Sequence, residues 1–292
     1  MTPESAFITA LQALATHPAA RGLADDCAVL EVGGETLILT HDMMVEGVHW
    51  LPAQDPADVA WKLLATNLSD LASKGAEPVG VLLGYTLAGD HARFIEGLGE
   101  ALAHFGVPLL GGDTVRAPGP QSLGLTALGR ATCRPVPSRS GARAGDDIWI
   151  TGPVGRAMLG FEALSAGNTS ADTSAYRRPV PRLAEGRALA PLVTAMMDVS
   201  DGLLLDARRM AEASAASFAL DPAAIPLPAE LPAERAREAL AWGDDYELLF
   251  TLPSGTAPPC PAHRIGTVLP RGTAPLLLGD TPPEGPLGYE HR

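Results

Sequence analysis

Acidic side chains recur at six places along the chain, all at the edge of an apolar stretch and all but the first in a segment with glycine, threonine, serine or asparagine. The segments are ADD (24–26), THD (40–42), NLSD (67–70), GGDT (111–114), DVSDG (198–202) and GDDY (243–246). Carboxylates that a fold brings together repel one another, so something cationic must lie between them. Magnesium holding a polyphosphate is the usual solution. The pattern therefore predicts a metal-assisted phosphate site.

Three of the segments have spacings that suit this chemistry. Asn67 and Asp70 are three residues apart on a predicted helix and share a face. Ser200 and the N–H groups of the helix start that follows it could hold a phosphate oxygen. Gly111 and Gly112 would let backbone N–H groups approach an anion closely. These spacings favour a site in which backbone and carboxylates act together.

Each segment also has a simpler interpretation. A lone aspartate at an element end more often caps a helix or forms a turn than binds a ligand. Asp70 is as compatible with capping a neighbouring loop as with binding a metal, and Asp201 could cap the helix expected at Leu203. The Gly111–Gly112 pair could be an ordinary hairpin turn. The six segments favour the phosphate site only as a set.

Composition and missing motifs narrow the function class. The net charge of −13 and pI of about 4.9 oppose non-specific binding to nucleic acid or anionic membranes. No GxxxxGK[ST] motif, no GxGxxG motif in the right context and no protein-kinase signature is present. Three scattered cysteines without a CxxC motif suggest neither disulfides nor zinc. With no signal-peptide pattern at the N-terminus, we expect a cytoplasmic protein. We interpret the scarcity of lysine only as compositional bias.

Turn signals and hydrophobic periodicity predict two α+β domains. Asp55-Pro56 marks the start of a helix that runs to about Lys74 and stops at Gly75. A strand over 107–110 is expected to enter a turn at Gly111–Gly112. The Pro-, Arg- and Ser-rich stretch 132–144 separates the halves. We therefore expect an N-terminal domain over 1–137 and a C-terminal domain over 138–292.

Eight segments, in order, make the chain resemble the thiamine-monophosphate kinase family of the aminoimidazole-ribonucleotide-synthetase-like ATP-binding superfamily. They are ADDCAVL, THDMMVEGVHW, KLLATNLSDLASKGAEP, LLGGDTVR, SRSGARAGDDIWITG, RRPVPRL, MMDVSDGLLLD and WGDDYELLFT. The resemblance implies an α+β fold with an N-terminal mixed sheet that pairs across a homodimer, and a C-terminal α+β domain. It also implies transfer of a phosphoryl group from ATP to thiamine monophosphate with several Mg²⁺ ions, and neither a nucleic-acid nor a membrane partner.

The resemblance also implies roles for individual residues. Positions that match metal ligands of the family are Asp26, Thr40, His41, Asp42, Asp70, Asp113, Asp198 and Asp201. Positions that match ATP contacts are Gly112, Asp113, Arg139 and Ser200, and those that match substrate contacts are His49 and Asp244. No residue is expected to act as a general base.

The chain departs from the family pattern near some of these positions. His41 replaces a hydroxyl residue, and Asp244 replaces glutamate. A C-terminal aromatic that contacts substrate in relatives aligns near Pro286, with Tyr289 as a candidate substitute. These departures affect the expected substrate pocket more than the expected metal site.

Two other hypotheses compete with that of a thiamine-monophosphate kinase. In the first, the chain is another enzyme of the superfamily. The N-terminal Cys and Lys of selenophosphate synthetases and the C-terminal Cys of hydrogenase-maturation relatives are absent here, which counts against it. The second is a non-catalytic binding protein stabilised by divalent cations. It would bind ligand without ATP turnover.

Overall fold

Two sheets, one in each half of the chain, flank a long helix in a computed structural model that describes residues 3–290. The elements of the first half are α1 (Pro3–Gln12), a 3₁₀ segment (Pro18–Leu23), β1 (Ala28–Val32), β2 (Glu35–Val45), α2 (Pro56–Ser73), β3 (Ala76–Thr86), α3 (His91–Phe105), β4 (Leu109–Val115) and β5 (Ser122–Ala131). Their sheet has the order β1-β2-β5-β3-β4. It is mixed, because β3 and β4 run parallel while the other neighbours are antiparallel.

The second half forms a six-stranded sheet in the order β11-β8-β10-β6-β9-β7. Its elements are β6 (Asp147–Ile150), α4 (Arg156–Ser165), α5 (Ser174–Arg177), α6 (Leu183–Leu189), β7 (Ala195–Asp198), α7 (Leu203–Ala213), β8 (Ser217–Leu220), a 3₁₀ turn (Ala233–Arg235), α8 (Ala236–Ala239), β9 (Leu248–Leu252), β10 (His263–Leu269) and β11 (Leu276–Leu278). The pairs are antiparallel except β11 with β8. The expected fold class, two α+β units with a mixed N-terminal sheet, is confirmed.

Helix α2 is the element that both halves share. The Asp55 carboxylate caps its first turn by accepting from Ala57 N, and Pro56 occupies the first helical position. Gly75 ends it with φ 61°, a left-handed conformation that favours glycine. The helix packs against β2, β3, β5 and α3 of the first half and against α5, α6 and β7 of the second. Packing against both halves explains why polar Asn67 and Ser69 are fully buried within it.

The connection between the two sheets runs over residues 132–146, and Arg21 ties it to the first half. The Arg21 guanidinium donates to the backbone oxygens of Pro137, at 2.8 Å, and Val136, at 3.1 Å. The expected domain boundary between 137 and 138 falls in this connection and stays a prediction. Within residues 3–290, no helix is long and apolar enough to cross a membrane.

The expected turn at Gly111–Gly112 is wrong. Both glycines lie inside β4, which pairs in parallel with β3 and continues to Val115. A Cβ at Gly112 would lie 2.0 Å from the backbone oxygen of Leu83, so this glycine allows the two strands to approach closely. Pairing with a strand that is distant in sequence has overridden the local turn signal.

Two glycines of α3 provide a matched test of the α2–α3 packing. A Cβ at Gly97 would lie 2.3 Å from the Cα of Ala57, whereas a Cβ at Gly99 would meet nothing within 4 Å. We expect Gly97→Ala to lower the free energy of unfolding by about 1–3 kcal/mol through overpacking. Gly99→Ala should raise it by about 0.5–1 kcal/mol through helix propensity.

Urea unfolding followed by circular dichroism would measure both changes. A Gly97→Ala protein at least as stable as the Gly99→Ala protein would contradict the close packing of these helices.

Candidate functional site

Three aspartates from separate elements meet between the two sheets. Asp26 lies just before β1, Asp70 on α2, and Asp198 at the end of β7. One carboxylate oxygen from each lies within 4.8 Å of the other two. These three residues, which we call the carboxylate cluster, combine ligands from both halves of the chain. Oxygen ligands of this kind suit Mg²⁺.

Hydroxyl groups hold two members of the carboxylate cluster. The Ser69 hydroxyl donates to Asp198 Oδ2 at 2.5 Å. The Thr40 hydroxyl donates to Asp70 Oδ2. Ser69 and Asp70 are consecutive on α2, so this helix both contributes a carboxylate and orients the one that comes from β7. The second sheet is thereby joined to the cluster.

Asp26 differs from the other two members of the cluster, because two cationic side chains bind its carboxylate. Lys74 Nζ donates to Asp26 Oδ2 at 2.6 Å and to Asp25 Oδ1 at 2.5 Å. Arg139 contacts Asp26 Oδ1 through Nη2 and through Nε, the latter at 2.9 Å. Burial alone would raise the pKa of Asp26, but Arg139 and Lys74 outweigh it and lower that pKa.

The carboxylates that lack such cations have raised pKa values. Burial and the nearby Asp26 raise the pKa of Asp198 from 3.8 to about 7. Burial, Asp26 and Asp201 raise that of Asp42 to about 6. Burial and the charges of Asp42 and Asp198 raise that of Asp70 well above its ordinary value. Buried carboxylates that repel one another in this way fit a divalent cation, which would supply the balancing charge.

A cavity of about 370 Å³ extends from this cluster. Polar groups line one end, namely Asp42, Asp70, Asp198, Ser200 and Asp201. The remainder is lined by Met43, Met44, Val48, His49, Lys62, Thr66, Phe161, Tyr176, Trp242, Asp244, Tyr246 and Tyr289. The cavity therefore joins an acidic end to an aromatic end. Such a shape suits a ligand with a phosphate at one end and a ring at the other.

The loop that carries Ser200 and Asp201 is held by Asp206, which sequence reasoning missed. Asp206 Oδ2 accepts from the backbone N–H of Ser200, at 3.1 Å, and of Asp201, at 3.0 Å. Arg209 donates to Asp201 Oδ2 at 2.5 Å and to Asp206 Oδ1 at 2.9 Å. An aspartate in the first turn of a helix that follows a DxxDG segment is the signal that could have identified this support.

The aromatic end contains both residues expected to contact substrate. His49 Nδ1 accepts from the backbone N–H of Val45 at 2.9 Å, which places the proton of the neutral ring on Nε2. Asp244 accepts from Lys62 at 2.7 Å and from the Tyr246 hydroxyl at 2.9 Å. Tyr289 also lines this cavity, and its backbone N–H donates to Asp201 O at 2.9 Å. The structure thus places Tyr289, rather than Pro286, among the lining residues.

Three residues expected at the site lie elsewhere within one chain. The side chain of His41 is exposed, with Nδ1 2.9 Å from the Thr126 hydroxyl, and does not line the cavity. Gly112 and Asp113 lie on the edge strand β4, three strands from Asp42 in the sheet. Three strand spacings amount to about 14 Å. The roles expected of these residues stay predictions.

Sequence reasoning missed two buried lysines and three aromatic residues of the site. Lys62 and Lys74 are 1% and 0% exposed. Phe161, Tyr176 and Trp242 come from α4, α5 and a loop, and no spacing in the sequence relates them. The lysines did carry a signal, because they are the only two in the chain.

Comparison with known proteins agrees with this architecture. Residues 24–131 match the family model "AIR synthase related protein, N-terminal domain", and residues 143–273 match the corresponding C-terminal domain. The thiamine-monophosphate kinase of Escherichia coli (strain K12) is 38% identical over 252 residues, which cover 80% of this chain and 76% of the relative. That of Caulobacter vibrioides is 40% identical over 250 residues, covering 80% and 71%.

A solved structure described as AaThiL complexed with AMPPCP and TMP superposes with a TM-score of 0.88. It is 26% identical, and the superposition covers 99% of this chain and 97% of the other.

The raised pKa values predict how stability depends on pH and metal. A carboxyl whose pKa is raised by folding stabilises the fold at low pH, and this contribution is lost as pH rises through the folded-state value. For Asp42 and Asp198 that loss begins near the ordinary value of 3.8 and is complete near pH 6 and pH 7, respectively. We therefore expect Mg²⁺ to raise the melting temperature more at about pH 8 than at about pH 5.5.

Differential scanning calorimetry with Mg²⁺ and with a chelator would measure this difference. Asp198→Asn removes one of the titrating groups, so the rise in melting temperature caused by Mg²⁺ should differ less between the two pH values. An equal effect of Mg²⁺ at both pH values would contradict the electrostatic account of the cluster.

Proposed function

The chain belongs to the thiamine-monophosphate kinase family, and we propose that it transfers the γ-phosphoryl group of ATP to the phosphate of thiamine monophosphate. The products are ADP and thiamine diphosphate. The observation that carries the proposal is the single cavity that joins the carboxylate cluster to an aromatic end with its own acid, Asp244. The acidic end suits metal-bound phosphates. The aromatic end suits the rings and the organic cation of thiamine.

Magnesium fits the acidic end, where Asp26, Asp42, Asp70, Asp198 and Asp201 would hold it. Bound there, it would neutralise and align the phosphate groups during in-line transfer. The side chain of Thr40 is engaged by Asp70, so Thr40 also supports that ligand. The mutual repulsion of these buried carboxylates supports the proposal that a divalent cation binds here.

The remaining residues of the acidic end would bind and orient ATP. Arg139 lies beside Asp26 and carries a fixed positive charge that can offset phosphate charge. Ser200 offers a hydroxyl next to the cluster, on a loop that Asp206 holds in place. At the other end, His49 and Asp244 would contact thiamine monophosphate.

No side chain is needed as a general base in this proposal. The acceptor oxygen belongs to a phosphate group whose second pKa is about 6, so it is ionised near neutral pH. The protein's task is then to bring two polyanions together and hold them in line. A cluster of carboxylates with two resident cations is consistent with that task.

We propose that the protein acts as a homodimer through strand β4. Every residue of this edge strand is exposed, including Leu109, Leu110 and Val115. A long exposed apolar edge favours pairing with another strand, and a second copy of the chain offers the same edge. Such pairing would bring Gly112 and Asp113 to the partner's surface, where they could serve its ATP site.

We also propose a cytoplasmic location and no nucleic-acid partner. The phosphoryl donor, ATP, is a cytoplasmic metabolite, and the cysteines Cys27, Cys133 and Cys260 are all thiols. The net charge of −13 opposes binding to polyanions other than through a metal.

An activity assay with a matched pair of variants tests the proposed reaction. Asp70→Asn removes a cluster charge while keeping the shape of the side chain, and we expect turnover to fall by about 10²-fold or more. Asp90→Asn, at the exposed cap of α3, should leave turnover unchanged because asparagine caps equally well. The measurement is ADP release coupled to thiamine diphosphate formation.

Near-normal turnover by Asp70→Asn would contradict the role of the cluster. Ligand binding by the wild-type protein without ADP release would instead indicate a binding protein.

The proposed dimer has its own test. Leu110→Glu would put a charge in the middle of the β4 edge, and we expect the protein to become monomeric in analytical ultracentrifugation. Val180→Glu is the control, since Val180 is similarly exposed at 51% but lies outside both sheets. A wild-type monomer, or a dimer that Leu110→Glu leaves intact, would contradict pairing through β4.

A further inference from the structure

Lysine is used at only two positions in this chain, while arginine is used at 19. Both lysines are buried, and both lie on α2 or at its C-terminal end. Lys74 donates to Asp26 of the carboxylate cluster. Lys62 lies two turns from Asp70, at the aromatic end of the cavity. A chain that takes most of its positive charge from arginine places a compact ammonium group here, where a planar guanidinium would need more room.

The ammonium group of Lys62 is fully engaged by the protein. It donates to Asp244 Oδ2 at 2.7 Å and to the backbone oxygen of His49 at 3.1 Å. It also lies 4.0 Å from the centre of the Tyr176 ring. An ammonium has three N–H groups, and these three partners use them. Lys62 is therefore placed to act through Asp244 rather than to bind a ligand directly.

Asp244 is held from both sides by its neighbours. Lys62 engages Oδ2, and the Tyr246 hydroxyl donates to Oδ1 at 2.9 Å. A carboxylate has about four acceptor positions, so about one on each oxygen remains for a ligand. The Asp244 side chain is 29% exposed and lines the cavity. The cavity therefore presents hydrogen-bond acceptors of fixed direction at this end.

The backbone around Asp244 is unusual. Asp244 and Tyr246 have φ of 59° and 52°, a left-handed conformation that is costly for residues other than glycine. Between them and Ser200 there is little space, because a Cβ at Gly243 would lie 2.4 Å from the Ser200 backbone oxygen. A strained turn that is clamped in this way fixes where the Asp244 carboxylate points.

Helix α2 sets the distance between the two ends of the cavity. Lys62, Thr66 and Asp70 are spaced by four residues, so they lie on one face, and all three line the cavity. The eight residue steps from Lys62 to Asp70 span about 12 Å of helix. Thiamine monophosphate carries its phosphate and its aminopyrimidine at opposite ends. A phosphate bound near Asp70 therefore places the aminopyrimidine near Lys62 and Asp244.

We propose that Lys62 is a positioning residue that makes Asp244 a selective acceptor for the exocyclic amino group of the pyrimidine. The inference rests on the proposed function and deepens it. Lys62 and Tyr246 hold the carboxylate so that its remaining lone pairs meet the donor of the amino group. A 4′-oxo pyrimidine brings an acceptor to the same place, and two acceptors repel. Lys62 and Asp244 together thus favour a substrate with a 4′-amino group over one with a 4′-oxo group.

The test compares kcat/KM for thiamine monophosphate and for its 4′-oxo analogue, oxythiamine monophosphate. The wild-type protein should prefer the amino substrate by at least about tenfold, since a partly exposed polar contact discriminates less than a buried one. Lys62→Met keeps the length of the side chain and removes its charge. It should raise KM for the amino substrate about tenfold and change kcat little. The ratio of kcat/KM for the amino substrate to that for the oxo substrate should fall towards one.

Two further variants separate positioning from a merely structural role. Lys62→Arg retains a donor to Asp244 and should recover part of the preference. Tyr246→Phe removes only the hydroxyl that holds Oδ1, so it tests the clamp even if Lys62→Met does not fold. It should reduce the preference in the same direction by a smaller factor. Arg130→Met, which removes an exposed cation of the first sheet, should leave the preference unchanged.

The outcomes distinguish this inference from the proposed function. A wild-type protein that does not phosphorylate thiamine monophosphate would reject the function itself. An active wild-type protein whose preference survives both Lys62→Met and Tyr246→Phe would overturn the role of Lys62. A fall in kcat with unchanged KM and preference would also overturn it, because the effect would then lie at the phosphate end.

Discussion

The concentration of negative charge around α2 is the constraint on which the rest of this structure depends. Carboxylates from β7, from the segment before β1 and from the helix itself are buried within a few ångströms of one another. In a medium of low dielectric such charges must be balanced or neutralised by protons. The fold supplies two cations, Lys74 and Arg139, and both go to Asp26. The other carboxylates keep raised pKa values, so part of the balance is left for what binds there.

The distribution of these charged residues over both halves of the chain explains why the site lies between the two sheets. Arg139 belongs to the connection between the halves, and Asp198 to the second sheet, so neither half contains the complete set of charges. Arg21, paired with Asp25 at 2.5 Å, fastens the same connection to the first half. Ion pairs of this kind stabilise only when each partner remains in place. The charges that prepare the site therefore also hold its two parts in register.

Local signals in the sequence were sufficient where the structure is local. The bounds of α2 follow from Asp55-Pro56 and Gly75, and three of the six acidic segments meet in the carboxylate cluster. The prediction of a turn at Gly111–Gly112 was wrong because parallel pairing of β4 with β3 joins residues that are distant in sequence. The aromatic residues of the cavity were missed for the same reason. Lys62 and Lys74 could have been noticed, since two lysines among 19 arginines is an uneven choice of cation; their burial needed the three-dimensional packing.

The C-terminal segment shows how the two ends of the cavity are coupled. The backbone N–H of Tyr289 donates to Asp201 O, and a Cβ at Gly288 would lie 2.4 Å from that same oxygen. The close approach fixes Tyr289 against the loop that carries Ser200 and Asp201. That loop is in turn held by Asp206 at the acidic end. A displacement of the loop would therefore move an aromatic wall of the cavity together with a carboxylate of the acidic end, so the positions of ring and phosphate are not independent.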